Sequence, residues 1–407
     1  MFAIIKTKPL VVLFSLSALL LTQGCSKMAP HPYNPLPQQL ENQAQMPGFN
    51  DVRAWGDSYS SNLQNSATLS IRQEQAAHHG KLPVEMDGLA LSGGGQDGAF
   101  GAGLLCGWTK SGTRPQFKLV TGISTGALIA PFAFLGPAYD AQLKIAYTTL
   151  SDRNIYTPHN PVLILLALLN LKSLPSLAKN TQLIELIEKM LDENMLKQIA
   201  AEHRKGRRLI IGTTQFNAQR LVLWDMGAIA TRGTPEALQL FRKILLASAS
   251  IPVTFPPQYF KVIAGGKTFD EMHVDGGVES EVILFESAIR PFAQNEGFNK
   301  HRSRKLYIIR NQRVSPQWQY VNPEIKYMAL RAISSLTKSQ GIGDLYRLYA
   351  DAKRDGIDYN LAYIPLDFTL MPKSSYDTVY MNQLFDKGYE LGRKGYDWKK
   401  YPPDFQP

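Results

Sequence analysis

The sequence predicts an α/β fold, three layers α/β/α around a mostly parallel central sheet. Two glycine-rich turns between Leu89 and Gly126 carry the prediction. The first, Ser92-Gly93-Gly94-Gly95-Gln96-Asp97-Gly98, follows the apolar run Leu89–Leu91 and leads into an apolar segment that starts at Leu104. The second, Gly122-Ile123-Ser124-Thr125-Gly126, follows Phe117–Val120 and precedes the helix-like Ala127–Leu135. Each is a strand, a tight turn and a helix start, the unit from which doubly wound sheets are built, with ligands at the C-terminal ends of the strands.

The second turn is a G-x-S-x-G nucleophile elbow in its expected setting. A serine at the tip of so sharp a turn takes a strained backbone, and Gly122 and Gly126 leave room for the neighbouring strand and helix. Ser124 is the candidate nucleophile. Attack on an ester carbonyl creates an oxyanion, and the backbone N–H groups of Gly93, Gly94 and Gly95 at a helix N-terminus are candidate donors to it. Gly93-x-Gly95-x-x-Gly98 also satisfies a dinucleotide fingerprint. That reading needs an acidic residue about 20 positions on, and no Asp or Glu stands between Asp97 and Asp140.

Further along, Ala247-Ser248-Ala249-Ser250-Ile251-Pro252-Val253-Thr254-Phe255-Pro256-Pro257 precedes Asp275-Gly276-Gly277. Four blocks in this order resemble the patatin-like phospholipase family, over roughly Met86 to Val282. The resemblance implies a patatin-like domain in which Ser124 and Asp275 act as a dyad without histidine. It implies hydrolysis of fatty-acyl esters of phospholipids or lysophospholipids through an acyl-serine intermediate, with no cofactor and no metal. The family's first turn commonly carries Arg or Lys where this chain has Asp97; restoring the charge with Asp97→Arg is expected to favour anionic phospholipids. A catalytically degenerate lipid-binding or scaffolding lipoprotein is the alternative.

With 407 residues, 44% of them hydrophobic, the chain can bury a full core, and its two cysteines, Cys25 and Cys106, make no disulfide framework. Lys6 and Lys8, the apolar run Leu10–Leu21 and Gly24-Cys25 read as a signal peptide over 1–25. The cysteine's place resembles a bacterial lipoprotein signal, with lipidation of Cys25, and Ser26 after it resembles the outer-membrane sorting rule of Gram-negative bacteria. The expected place is therefore the periplasmic face of the outer membrane. Residues 26–85, rich in Pro, Asn, Gln and Ser, read as a tether with one short helix, Leu63 to Ala77. The catalytic domain is expected at 86–290, and 291–407 as a C-terminal extension packed on it.

The apolar run Pro161–Leu171 is too short to span a bilayer; a buried core helix and a membrane-contacting flap both fit it. Thr181 to His203 has the period of an amphipathic helix, Arg207–Gly212 and Gln219–Trp224 read as strands, and Pro235–Ala249 as a helix. The basic runs Arg204–Arg208 and Lys300–Lys305 read as solvated turns. His78-His79 has no second cluster to make a metal site. The net charge of +10 fits adhesion to an anionic membrane surface, and no nucleic-acid motif accompanies it.

Overall fold

The computed structural model describes residues 33–160, 163–164, 174–284 and 302–405. The chain divides into a short N-terminal unit that ends at Asn34 and one compact unit, Pro35–Pro407, which carries every element described below.

Nine strands form one mixed sheet: β1 (Arg53–Trp55), β2 (Glu85–Leu91), β3 (Leu119–Gly122), β4 (Arg208–Gln215), β5 (Arg220–Asp225), β6 (Gln258–Ala264), β7 (Lys267–Asp275), β8 (Ser303–Arg310) and β9 (Asp358–Tyr363). Five run parallel, in the order β4, β3, β2, β8, β9. β5 pairs antiparallel with β4 and β1 antiparallel with β5. β6 and β7 form an antiparallel hairpin, and β7 also pairs with the far end of β4.

The alternation along the strands shows that both faces are covered. Leu89, Leu91, Leu209, Ile211 and Ile309 belong to the main core with the helices α2 (Gly98–Lys110), α3 (Thr125–Leu135), α7 (Pro235–Ser248) and α9 (Thr378–Arg393). Ala90, Leu306 and Ile308, one residue out of step, pack instead with Leu345, Leu348 and Ala352 of α8 (Ile325–Asp355). Ile210 and Leu223 likewise meet Leu63 of α1 (Ser61–Ala77) on that second face. A parallel sheet must be buried on both sides, and the result is the three-layer α/β/α architecture. The amphipathic run after Thr181 splits into α5 (Thr181–Met190) and α6 (Glu193–Arg204), because Asp192 accepts from Met195 N–H and caps a new helix. α4 (Asp140–Thr148) follows α3.

The C-terminal residues join the sheet itself. β8 lies between β2 and β9, so the sequence division at 290 falls between strands of a single sheet. α9 closes on α2 through glycines: a β-carbon on Gly103 would lie 2.0 Å from Phe385 O, and one on Gly388 2.4 Å from Phe100 O. Backbones this close exclude any side chain at those positions.

The described part of the stretch expected to be a tether is folded onto the rest of the unit. Its helix is present as α1, and Arg53–Trp55 adds an edge strand, anchored by an ion pair between Arg53 and the buried Glu271. Alternating polar and aromatic residues in three-residue strands give no period to read. A second correction concerns Arg204–Arg208. Arg207 and Arg208 are buried, their guanidiniums hydrogen-bonded to backbone carbonyls of Phe117 and Phe134 and of His203 and Ser66. Charge runs read as solvated when nothing in the sequence shows the carbonyls that will meet them.

Candidate active site

The sheet's pairing brings the two turns and Asp275 together. On one edge of β4, β3 pairs as far as Gly122, opposite Ile211; β7 then takes over the same edge, with Asp275 opposite Thr213. Ser124, two residues past the end of β3, and Asp275, the last residue of β7, therefore meet at one point. Ser124 Oγ donates a 2.7 Å hydrogen bond to Asp275 Oδ2.

Ser124 has φ +53°, a left-handed conformation for a residue with a side chain, and directly precedes α3. The elbow glycines are sterically required: a β-carbon would lie 2.5 Å from Gly126 O at Gly122 and 2.4 Å from Leu91 O at Gly126. Ser248 holds the elbow from below. Its hydroxyl accepts from Ser124 N–H at 3.0 Å and donates to Gly212 O at 2.7 Å. The Ser250 carbonyl accepts from Asp275 N–H at 2.9 Å. The Ala247–Pro257 block thus fixes both members of the pair.

Asp275 is almost fully buried, and Gly277 N–H donates to its Oδ1 at 2.8 Å. Burial, only partly offset by the hydrogen bonds from Ser124 and Gly277, pushes its carboxyl up to about 7. That is far above the ordinary carboxylate and makes it a base suited to neutral pH. Glu281 is a second buried acid beside it. Desolvation raises it to about 8, with Arg310 acting against the rise and Asp275 and Asp344 adding to it. A β-carbon on Gly93 would lie 2.9 Å from Glu281 Oε2, and one on Gly277 2.7 Å from Oε1.

The first turn opens beside Ser124. Gly93 N–H already donates to the Glu281 carbonyl at 3.0 Å, which removes it from the three expected oxyanion donors. The N–H groups of Gly94 and Gly95 make no hydrogen bond among the described residues. Both residues have positive φ, +151° and +56°, and a β-carbon on Gly94 would lie 1.9 Å from Asn311 O. Asn311 clamps this turn: its N–H donates to Ser92 Oγ, its Nδ2 to Ser92 O, and its Oδ1 accepts from Gly101 N–H, at 2.8, 2.9 and 3.1 Å. Sequence reasoning missed Asn311 and Ser248, since neither sits in a motif that names its role. Asp97 faces sideways and accepts from the Tyr380 hydroxyl at 2.7 Å; desolvation raises its carboxyl to about 6.

Next to Ser124 lies an apolar chamber walled by Leu128, Leu150, Ile155, Ile187, Met190 and Met381. Its lining suits a hydrocarbon chain. His273, the nearest histidine in sequence to Asp275, does not enter the site. It is fully buried, its ring bonded through Nδ1 to Thr213 Oγ1 at 2.9 Å and through Nε2 to Glu271 Oε2 at 3.2 Å. His301, Cys25 and nearly all of the apolar run 161–171 lie outside the described residues. Among the described residues no group of three His, Cys, Asp or Glu side chains is arranged to hold a metal ion, and no helix is long and apolar enough to cross a membrane.

A serine on an elbow, a buried carboxylate hydrogen-bonded to it and an apolar chamber thus lie together. Residues 89–288 match the model of the patatin-like phospholipase family, and the chain carries a domain of that family, whose members are lipid acyl hydrolases. No curated protein matches the chain by sequence. Among solved structures, VipD from Legionella pneumophila is similar at 11% identity over 77% of this chain and 67% of that one, with a TM-score of 0.33, a likeness that carries no argument about this chain.

Proposed function

We propose that the protein hydrolyses fatty-acyl esters of phospholipids or lysophospholipids by a Ser124–Asp275 dyad. The observation that supports this most is the 2.7 Å hydrogen bond from Ser124 Oγ to a buried carboxylate raised to about 7, at the mouth of an apolar chamber. Ser124 Oγ attacks the acyl carbonyl carbon while its proton passes to Asp275 Oδ2. The oxyanion is met by Gly94 and Gly95 N–H. Collapse breaks the ester bond, Asp275 returns the proton to the leaving alcohol oxygen, and the acyl group stays on Ser124. Water then gives a proton to Asp275 and attacks the acyl-serine, releasing the fatty acid and restoring the serine. Each proton is accepted and returned by one carboxyl, so no histidine is required.

Lipidation at Cys25 and residence at the periplasmic face of the outer membrane belong to the same proposal, supported by the sequence pattern. A fluorophosphonate probe tests the chemistry. It should label the wild type at Ser124 and leave Ser124→Ala unlabelled, and Asp275→Asn should lose at least 10³-fold in turnover of a soluble ester, on the order of a missing general base. A folded wild type that takes no label would favour the lipid-binding alternative.

A further inference from the structure

α8 changes character along its length. From Leu345 onward it packs Leu345, Leu348 and Ala352 into the core. Toward its start Met328, Ile333 and Leu336 are exposed, Leu336 by 70%. The preceding loop adds Trp318, 88% exposed, and Tyr320, 74% exposed. Large apolar and aromatic side chains gathered this way need a partner.

Where that half of the helix stands follows from three contacts. Lys338 O accepts from Arg310 Nη2 at 3.5 Å, Gly341 lies against the Arg310 guanidinium, and Gln340 Nε2 donates to Val278 O at 3.4 Å. Arg310 ends β8 and Val278 follows the Asp275-Gly276-Gly277 turn, so residues 338–341 are level with the end of the sheet that holds Ser124 and Asp275. β8, α8 and β9 form a parallel crossover, so the helix runs away from that end as its numbers rise. The part before Lys338, about 20 Å at 1.5 Å per residue, projects beyond the sheet on the side of the dyad.

The projection is positively charged. No Asp or Glu stands between Glu324 and Asp344. Arg331 is bonded to Gln317 O and Gln319 Oε1, and Lys338 to Ser315 O. These acceptors are neutral, and among the described residues neither cation has a carboxylate partner. Exposed Trp and Tyr with uncompensated cations and protruding aliphatics match the interfacial layer of a bilayer that carries negative headgroups.

We propose that Trp318, Tyr320 and the first half of α8 dock the protein on an anionic lipid surface, holding the dyad toward the bilayer. The inference rests on the lipid acyl hydrolase reading for its meaning, but its test does not. Full-length Ser124→Ala protein, which leaves vesicles intact, is mixed with phosphatidylglycerol or phosphatidylcholine vesicles. Trp emission should shift to the blue with phosphatidylglycerol far more than with phosphatidylcholine, and Trp318→Phe should remove most of the shift. In the Ser124→Ala background, Trp318→Ser with Leu336→Ser, or Arg331→Gln with Lys338→Gln, should weaken vesicle binding at least tenfold. With Ser124 present, the same pairs should slow vesicle hydrolysis while a soluble short-chain ester is still turned over. Equal vesicle binding by these variants, or a blue shift that survives Trp318→Phe, would overturn the proposal. Doubling of the mass in solution through these residues would assign the surface to a second copy instead. Failure of Ser124 labelling would strike the catalytic reading alone.

Discussion

The Tyr380 hydroxyl donates a 2.7 Å hydrogen bond to Asp97 Oδ1 and so ties the first glycine-rich turn to α9. The departure that reads in the sequence as a headgroup determinant is a structural joint. Asp377 N–H and Gln96 Oε1 add a second link between the same segments, at 3.0 Å. Asp97→Arg should therefore destabilise the protein by about 1–3 kcal/mol, the cost of a broken buried hydrogen bond, without selective gain on anionic phospholipids. Tyr380→Phe should cost a similar amount, and the double variant less than the two together. Urea unfolding of the four proteins measures this cycle.

The first glycine-rich turn separates two glycines that look alike in sequence. A methyl group at Gly94 would strike the Asn311 carbonyl, whereas the space around Gly95 is open. Gly94→Ala should lower turnover of a soluble ester by at least about 10²-fold, the scale of one lost oxyanion donor. Gly95→Ala meets only the backbone strain of a positive φ, about 1–2 kcal/mol, and should retain more than a tenth of the activity.

The buried acids make opposite demands on stability and rate. A carboxyl whose folded value is raised binds its proton more tightly in the folded state, so the folded form loses stability as pH climbs from the unfolded value toward the folded one. Asp97, Asp275 and Glu281, at about 6, 7 and 8, all act in this sense between pH 4 and 8. Asp275→Asn removes one contribution, so its stability relative to the wild type should improve between pH 5 and 8, by on the order of 2–4 kcal/mol. The wild-type kcat/KM should rise with pH through about 7 as Asp275 ionises. A denaturation series at the two pH values, with a pH–rate profile, checks both.

His273 fills a buried slot between Thr213 and Glu271, its ring edge-on to Phe260. His273→Ala should cost about 2–4 kcal/mol of stability, as other large-to-small core changes do, yet the folded fraction should turn over soluble ester at near the wild-type rate. Active-site titration with a fluorophosphonate, which counts competent molecules, separates the two effects.

The pairing of Ser124 with Asp275 was legible because its constraints are local. An elbow serine needs glycine on both sides and Asp275 sits where a strand breaks into a Gly-Gly turn, and both leave short, position-specific marks. What failed to show was remote. Ser248 and Asn311 act through hydrogen bonds to Ser124 and Ser92, 124 and 219 residues away, and a serine in a helix or an asparagine after a strand carries no mark of that contact. The same reason hid Gly93's engagement with Glu281 and the burial of Arg207 and Arg208. Lys305–Arg310 within β8 reads as a strand and the Tyr-rich tail that holds β9 does not, and nothing in the composition of either says that they complete the parallel sheet.

That last point bears on modularity. The family match covers residues 89–288, yet one border strand comes from Arg53–Trp55 and two more strands from Ser303–Arg310 and Asp358–Tyr363. Cutting the chain to the matched segment would strip β2 of β8, uncover Ala90 and remove the Asn311 that clamps the first glycine-rich turn. The fragment would offer a row of unpaired N–H and C=O groups along an apolar strand, which is a template for aggregation. The recognisable signature and the cooperative folding unit are therefore different lengths of chain, and insertions or domain grafts in this protein have to respect the longer one.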